Sequence, residues 1–239
     1  MAVPAFRFRR PAVLRRYLET TASARFAAYS AVFLLLLYEA CVRVGREGGE
    51  YARNAIDLWL RARLPGPAGE TGLLLAGLAL LAGWAWPERG RRYRFRGWWI
   101  AAFTGECALW ALLCVGAMWI LRFLEPGALA SKLASRIGLA AGAGVFEEVT
   151  FRLALAGGLY ELLGRTGLSA LPTALLSVCT SAFAFALSHV FGGLAQPLSG
   201  AGLLQLSVLG LILGFLFLWR GLAAAMFVHA FYDVFVLTL

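Results

Sequence analysis

The sequence predicts an all-α membrane protein, a polytopic bundle of about seven transmembrane helices with a conical polar cavity in its core. Hydrophobic residues make up 61% of the 239-residue chain, and the mean hydropathy is +0.75. Charged residues make up only 15%, whereas a soluble domain typically carries about 25%. Apolar runs long enough to cross a bilayer follow one another with short connections, which favours a single integral-membrane domain over residues 1–239.

Seven apolar runs are predicted to cross the membrane. They cover residues 26–44, 71–86, 98–121, 137–163, 172–191, 203–219 and 222–237. The domain divides into a basic cytoplasmic segment (1–25), a part with the first three spans and their loops (26–130), and a part with the candidate catalytic helices (131–239).

The positions of the basic residues predict the orientation of the bundle. Five arginines lie between positions 7 and 16, and the loop at 87–96 is also strongly basic. Because cytoplasmic loops are enriched in Lys and Arg, we expect a cytoplasmic N-terminus and an uncleaved first helix. Residues 45–70 then form an external loop with a short interfacial helix, although their arginines count against this orientation.

The net charge of +9 favours contact with anionic lipid headgroups, and we expect no nucleic-acid partner. The chain has no C-x-x-C motif, so its cysteines are expected to be small packed hydrophobes without a disulfide framework or a thiolate metal site. They are Cys41, Cys107, Cys114 and Cys179.

Three ionisable side chains lie in the apolar run of the fourth span, namely Glu147, Glu148 and Arg152. Each such group is costly in hydrocarbon and is therefore expected to have a partner or a function. Residues four apart share a helix face, so Glu148 and Arg152 can form a structural ion pair. Glu147 points about 100° away and has no local partner.

The chain has only two histidines, His189 and His229, and both fall in other predicted membrane helices. His229 and Asp233 lie four residues apart and share a face. An interhelical hydrogen bond would explain one such histidine alone, and Asp233 could simply orient His229. Together with Glu147, however, the two histidines supply the parts of a buried acid/base site.

These groups suit hydrolysis. A carboxylate and an imidazole can hold a water and take its proton as it attacks a carbonyl, and a second imidazole with a polar neighbour can stabilise the oxyanion. Ser188 is adjacent to His189 in sequence and points elsewhere on the helix, so no serine nucleophile is indicated.

Three motifs resemble the signature of the CPBP intramembrane endopeptidases, which include the type II CAAX prenyl endopeptidases and the abortive-infection-like proteins of bacteria. They are Glu147-Glu148-x-x-x-Arg152, Phe185-x-x-x-His189 and His229-x-x-x-Asp233. The resemblance covers residues 144–233 and implies an endopeptidase that cleaves membrane-associated proteins.

The resemblance also implies a role for each residue. Glu147 would activate water together with His189. The oxyanion site would be formed by His229 and Asp233. Glu148 would brace the helix with Arg152. The last motif ends in Asn in the prenyl endopeptidases, so Asp233 is either protonated or orients His229.

We expect no cofactor and no metal. The alternative is a zinc ion held by Glu147, His189 and His229, which are the ligand types of a catalytic zinc site, but the chain has no H-E-x-x-H pair. The expected partners are the lipid bilayer and a membrane-tethered protein whose C-terminal tail or sorting signal is processed. The expected location is a bacterial inner membrane. The alternative function is a non-enzymatic one, as a proton-coupled transporter or an immunity or scaffold factor.

Overall fold

The computed structural model describes residues 12–47, 53–64, 66–91, 93, 95–120, 133–191 and 200–238. The regular elements in these ranges are all helical, which confirms the all-α class. In chain order they are α1 (Ala12–Thr21), α2 (Ala24–Glu47), α3 (Ala55–Arg63), α4 (Pro67–Ala85), a 3₁₀ turn (Trp86–Glu88), α5 (Trp98–Ile120), α6 (Leu133–Gly142), a π-helical segment (Ala143–Gly157), α7 (Gly158–Gly164), α8 (Ala170–Phe191), α9 (Gly200–Arg220) and α10 (Leu222–Thr238).

The chain is an integral membrane protein. Four of the described helices are long and apolar enough to cross a bilayer, and they contain Ala24–Arg46, Trp98–Ile120, Ala170–His189 and Gly202–Arg220. These helices coincide with the first, third, fifth and sixth predicted spans. The apolar helix α10 is shorter. The total of seven spans stays a prediction, as do the division into one domain and the conical polar cavity.

Helix α10 lies at the centre of the bundle. It packs against α2, α5, α6, α9 and the π-helical segment. Its first turns are lined by small residues, and Ala223, Ala224 and Ala225 are almost fully buried. A helix with neighbours on most sides has no need of an amphipathic pattern, which explains why α10 is apolar on most of its surface apart from His229 and Asp233.

Small residues bring the fourth span close to its neighbours, as its glycine-rich approach predicts. A Cβ atom added at Gly138 would lie 2.9 Å from the Cβ of Cys41, and one at Gly142 would lie 2.7 Å from the ring of Tyr38. At Gly144 the added atom would lie 2.6 Å from the carbonyl oxygen of Met226. The segment therefore contacts α2 and α10 almost backbone to backbone.

A polar cluster ties α1 to the core at the end of the bundle where the described chain begins, which we call the amino-terminal face. Arg220 donates from Nε to Oε1 of Glu106 at 2.6 Å and from Nη2 to Oε2 at 2.8 Å. The hydroxyl of Tyr17 donates to the same carboxylate at 2.6 Å. Glu106 thus faces partners inside the bundle.

Candidate active site

The candidate site is built on the π-helical segment, which joins α6 and α7 into one continuous helix. Glu148 and Arg152 are fully buried there, and Glu147 is only 9% exposed. Helices α8 and α10 both pack against this segment. His189 near the end of α8 and His229 in the middle of α10 are thereby brought to the two adjacent glutamates.

Glu148 contacts two cationic or basic groups at once. Its Oε2 lies 3.2 Å from Nε of Arg152, which forms the ion pair expected from the i, i+4 spacing. Its Oε1 lies 2.7 Å from Nδ1 of His229. The carboxylate therefore braces its own helix and also holds the ring of His229 in a fixed orientation.

Glu147 points away from this pair, towards both histidines. Its Oε1 accepts a hydrogen bond of 2.8 Å from Nδ2 of Asn54. Its Oε2 is buried and has no hydrogen-bond partner in the described part of the chain. That oxygen lies 3.7 Å from Nε2 of His189 and 4.0 Å from Nε2 of His229. Both separations exceed a direct hydrogen bond, and their lengths are compatible with a water that bonds to Oε2 and to one of the two Nε2 atoms.

The two imidazoles present the same nitrogen to Glu147, because each uses Nδ1 elsewhere. Nδ1 of His189 lies 2.9 Å from the carbonyl oxygen of Phe185, which can only accept, so this nitrogen carries the hydrogen. Nδ1 of His229 is taken by Glu148. Nε2 of each ring is consequently the atom available for chemistry.

Asp233 lies on the reactive side of His229. Its Oδ2 is 3.6 Å from Nε2 of that ring, too far for a hydrogen bond and on the opposite edge from Nδ1. Glu148, one helix away, is the residue that contacts Nδ1. The structure therefore brings all six predicted site residues into one cluster, with a different arrangement of contacts around His229 than the i, i+4 spacing alone suggests.

Phe185 is the apolar support of the cluster. Its ring is fully buried and packs edge-on against His189 and His229, with centroid separations of 4.8 and 5.7 Å. The guanidinium carbon of Arg152 lies 4.5 Å from the centroid of the same ring. One aromatic side chain thus touches both histidines and the buried cation.

Asn54 is a site residue that the sequence did not reveal. It lies at the N-terminus of α3, the short helix expected within residues 45–70. Asn before an apolar helical stretch, with Asp57 three residues later, is a helix-start signal. That signal predicts the beginning of α3, but it carries no information about contact with Glu147, which is 93 residues away.

The distances between Glu147 and the two histidines can be compared with those of a zinc site. A tetrahedral zinc centre with ligand bonds of about 2.0–2.1 Å places its donor atoms about 3.3 Å apart. Glu147 is separated from the two histidine nitrogens by 3.7 and 4.0 Å. In the described ranges no group of three or more His, Cys, Asp or Glu side chains is arranged to hold a metal ion.

An apolar cavity of about 950 Å³ lies elsewhere, between α2, α5 and α10. Its lining includes Phe26, Phe33, Phe103 and Phe227, and none of the six predicted site residues contributes to it.

The four cysteines are free thiols, in agreement with the expectation of no disulfide framework.

Comparison with known families agrees with the motifs. Residues 129–235 match the family model described as "Type II CAAX prenyl endopeptidase Rce1-like". This part of the chain is therefore similar to an Rce1-like domain. The match covers a little under half of the chain and includes every predicted site residue. No curated protein and no solved structure matches the chain. The Rce1-like domain supports peptidase activity in general, with a membrane-associated protein as the class of substrate.

Proposed function

We propose that this membrane protein is an endopeptidase that cleaves a peptide bond with a water molecule activated by Glu147 and His189. The observation that carries the proposal is the unpartnered oxygen Oε2 of Glu147, which is buried and lies within 4.0 Å of both histidine Nε2 atoms. A buried carboxylate oxygen without a donor is costly as a structural element, and it is the arrangement that a general base requires.

The reaction follows from these positions. Oε2 of Glu147 accepts one proton of the water, while Nε2 of His189 accepts a hydrogen bond from the other. The water oxygen attacks the peptide carbonyl carbon, and the electron pair of the C=O bond moves to its oxygen. When this tetrahedral intermediate collapses, the C–N bond breaks and the proton held by Glu147 passes to the departing amine.

The oxyanion is stabilised by groups on α10. In its imidazolium form the ring of His229, which Glu148 holds at Nδ1, can donate a hydrogen bond from Nε2 to the oxyanion. Asp233 lies on the same side of the ring, 3.6 Å from Nε2, and in its protonated form can supply a second donor. Arg152 offsets the charge of Glu148 in this buried place.

The site lies towards the end of the bundle opposite the amino-terminal face. Asn54 of α3, which follows the far end of α2, reaches Glu147 directly. With a cytoplasmic N-terminus, this end faces the outside of the cell. We therefore propose that the substrates are exported or membrane-tethered proteins whose C-terminal tails or sorting signals enter from the outer side.

The test compares the membrane and secreted proteomes of cells that carry the wild-type chain or Glu147→Ala. Proteins that retain a hydrophobic tail only in the variant identify both the substrate and the side of cleavage. The expected result is a small set of such proteins, with the variant chain itself present at wild-type abundance. Identical termini in both strains would contradict the proposal and favour a non-enzymatic role as a transporter or scaffold factor.

A further inference from the structure

We propose that Asn54 is a positioning residue, which fixes the oxygen of Glu147 that acts on the attacking water; this inference rests on the hydrolytic function proposed above. Asn54 lies outside the Rce1-like domain at residues 129–235. Its side chain is buried, and Nδ2 donates to Oε1 of Glu147 at 2.8 Å. A residue from the amino-terminal half of the chain is therefore part of the site.

The orientation of the Asn54 amide is determined by two contacts that agree. Its Oδ1 accepts a hydrogen bond of 2.9 Å from the backbone N–H of Ile56 and so caps α3. This leaves the NH₂ group for Glu147, where a carboxylate oxygen needs a donor. The amide cannot be flipped without losing both hydrogen bonds.

Helix α3 is itself held in place by a buried network, so Asn54 is a rigid support. The hydroxyl of Tyr38 accepts the backbone N–H of Asn54 at 3.1 Å and donates to Oδ2 of Asp57 at 2.7 Å. Arg53 and Arg61 each contact Asp57 at 2.7 Å. These contacts join the end of α2 to the first turn of α3.

The hydrogen bond from Asn54 gives the two carboxylate oxygens of Glu147 different roles. With Oε1 held by Asn54, the carboxylate cannot rotate about its last torsion, and Oε2 stays directed at His189 and His229. Without the donor, both oxygens are free and the carboxylate can turn away from the histidines. Misplacement of a catalytic group by about 1 Å can lower a rate by about a hundredfold. We expect a loss of kcat of about tenfold to a hundredfold.

A purely structural role for Asn54, as the cap of α3, can be separated from the positioning role. Ser and Asp are as suitable as Asn at a helix N-cap. Asn54→Ser retains the cap, but its side chain is too short to reach Glu147. Asn54→Asp retains the cap but replaces the donating NH₂ group with a carboxylate oxygen, which lies against the accepting Oε1 of Glu147. Leu58→Ala, at a largely exposed position on the same helix, is the matched control.

The experiment uses the full-length chain in cells that carry wild type, Glu147→Ala, Asn54→Ser, Asn54→Asp or Leu58→Ala. Mass spectrometry measures uncleaved C-terminal tails, and the thermal stability of each purified chain is measured in detergent. The expected result is that both Asn54 variants accumulate the tails seen with Glu147→Ala while the folded chain remains abundant, with some loss of thermal stability because Oε1 of Glu147 loses its donor. A peptide that spans the shared cleavage site should show a lower kcat and a KM within about threefold of wild type.

Three results would overturn the inference in distinguishable ways. If Glu147→Ala processes every protein as wild type does, the hydrolytic function fails and the role of Asn54 fails with it. If Glu147→Ala is inactive while both Asn54 variants match Leu58→Ala, only the role of Asn54 fails. If both Asn54 variants yield less folded chain but each folded chain has the wild-type kcat, Asn54 is a structural cap.

Discussion

At the scale of single residues, two adjacent glutamates have different surroundings and should respond differently to the same substitution. Glu147→Gln keeps an oxygen that accepts from Asn54 but removes the base, and general-base catalysis contributes about 10²–10⁴-fold. Glu148→Gln leaves the buried guanidinium of Arg152 without its counter-charge. Breaking a buried ion pair in this way costs about 3–5 kcal/mol of stability. We expect the first variant to be inactive and stable, and the second to be strongly destabilised.

Substrate processing in cells and thermal unfolding in detergent check this pair of expectations. The double variant Glu148→Gln/Arg152→Met is the control for charge. It removes the unpaired cation, so it should recover part of the stability lost in Glu148→Gln. Equal stability of the two single variants would show that Glu148 is no more structural than Glu147.

A second residue-scale prediction concerns metal. Because the chain has no H-E-x-x-H pair of the kind that holds zinc in metalloproteases, we expect cleavage to proceed with water held by Glu147, His189 and His229 and without zinc. Purified chain treated with 1,10-phenanthroline and then freed of the chelator should retain its full rate on the identified substrate. Loss of activity that returns on addition of Zn²⁺ would instead assign these three residues as ligands.

The spacing of the motifs was sufficient to predict the residues of the site but not all of their contacts. The i, i+4 rule correctly paired Glu148 with Arg152. It also favoured Asp233 as the partner of His229, whereas the closest contact of that ring comes from Glu148 on another helix. Contacts between helices depend on rotation and depth, and a single sequence does not contain either quantity.

At the scale of the helices, close packing at Gly144 makes a specific prediction. In Gly144→Ala the new methyl group would lie 2.6 Å from the backbone carbonyl of Met226, which cannot move without shifting α10. Overpacking of this kind costs about 1–3 kcal/mol. Since α10 carries His229, we expect lower activity together with lower thermal stability.

Gly158→Ala is the matched control within the same continuous helix. A methyl group there meets no atom within 4 Å, and Ala is a better helix former than Gly by about 1 kcal/mol. This variant should therefore be as stable as wild type or more stable, with unchanged processing. A destabilised Gly158→Ala, or a neutral Gly144→Ala, would contradict the packing of α10 against the π-helical segment.

The π-helical segment itself could not be predicted from the sequence. Apolar periodicity indicates that a span exists at 137–163, and the structure has one continuous helix from Leu133 to Gly164. The apolar periodicity of a span does not distinguish α-helical from π-helical hydrogen bonding. Such segments are rare and frequently occur at functional sites, as this one does.

At the scale of the whole molecule, hydrophobic composition was enough to predict an all-α membrane bundle. It was not enough to reveal how loop residues complete the core. Arg220 ends α9 and appears in the sequence as an isolated loop charge, yet it is buried and paired with Glu106. Arg53 and Arg61 lie in a segment predicted as an external loop, yet they neutralise acidic groups close to the site.

The arginines near the site have acidic partners within the protein. Arg53 and Arg61 both contact Asp57 and Glu39. The amino-terminal face carries Arg15 and Arg16 of α1 and the loop residues Glu88 and Arg91, which contact Arg25 at the start of α2. We therefore expect α3 and the site end of the bundle to face the outside.

Single cysteines on the two faces test this orientation, in a chain whose four native cysteines are replaced by serine or alanine. Gly90→Cys lies in the basic loop and Ala62→Cys lies on α3, and both positions are exposed. In intact spheroplasts a membrane-impermeant maleimide should label Ala62→Cys and spare Gly90→Cys, whereas both should be labelled after the membrane is permeabilised. The reverse pattern would place the N-terminus outside and would move the access of substrates to Glu147 to the cytoplasmic side.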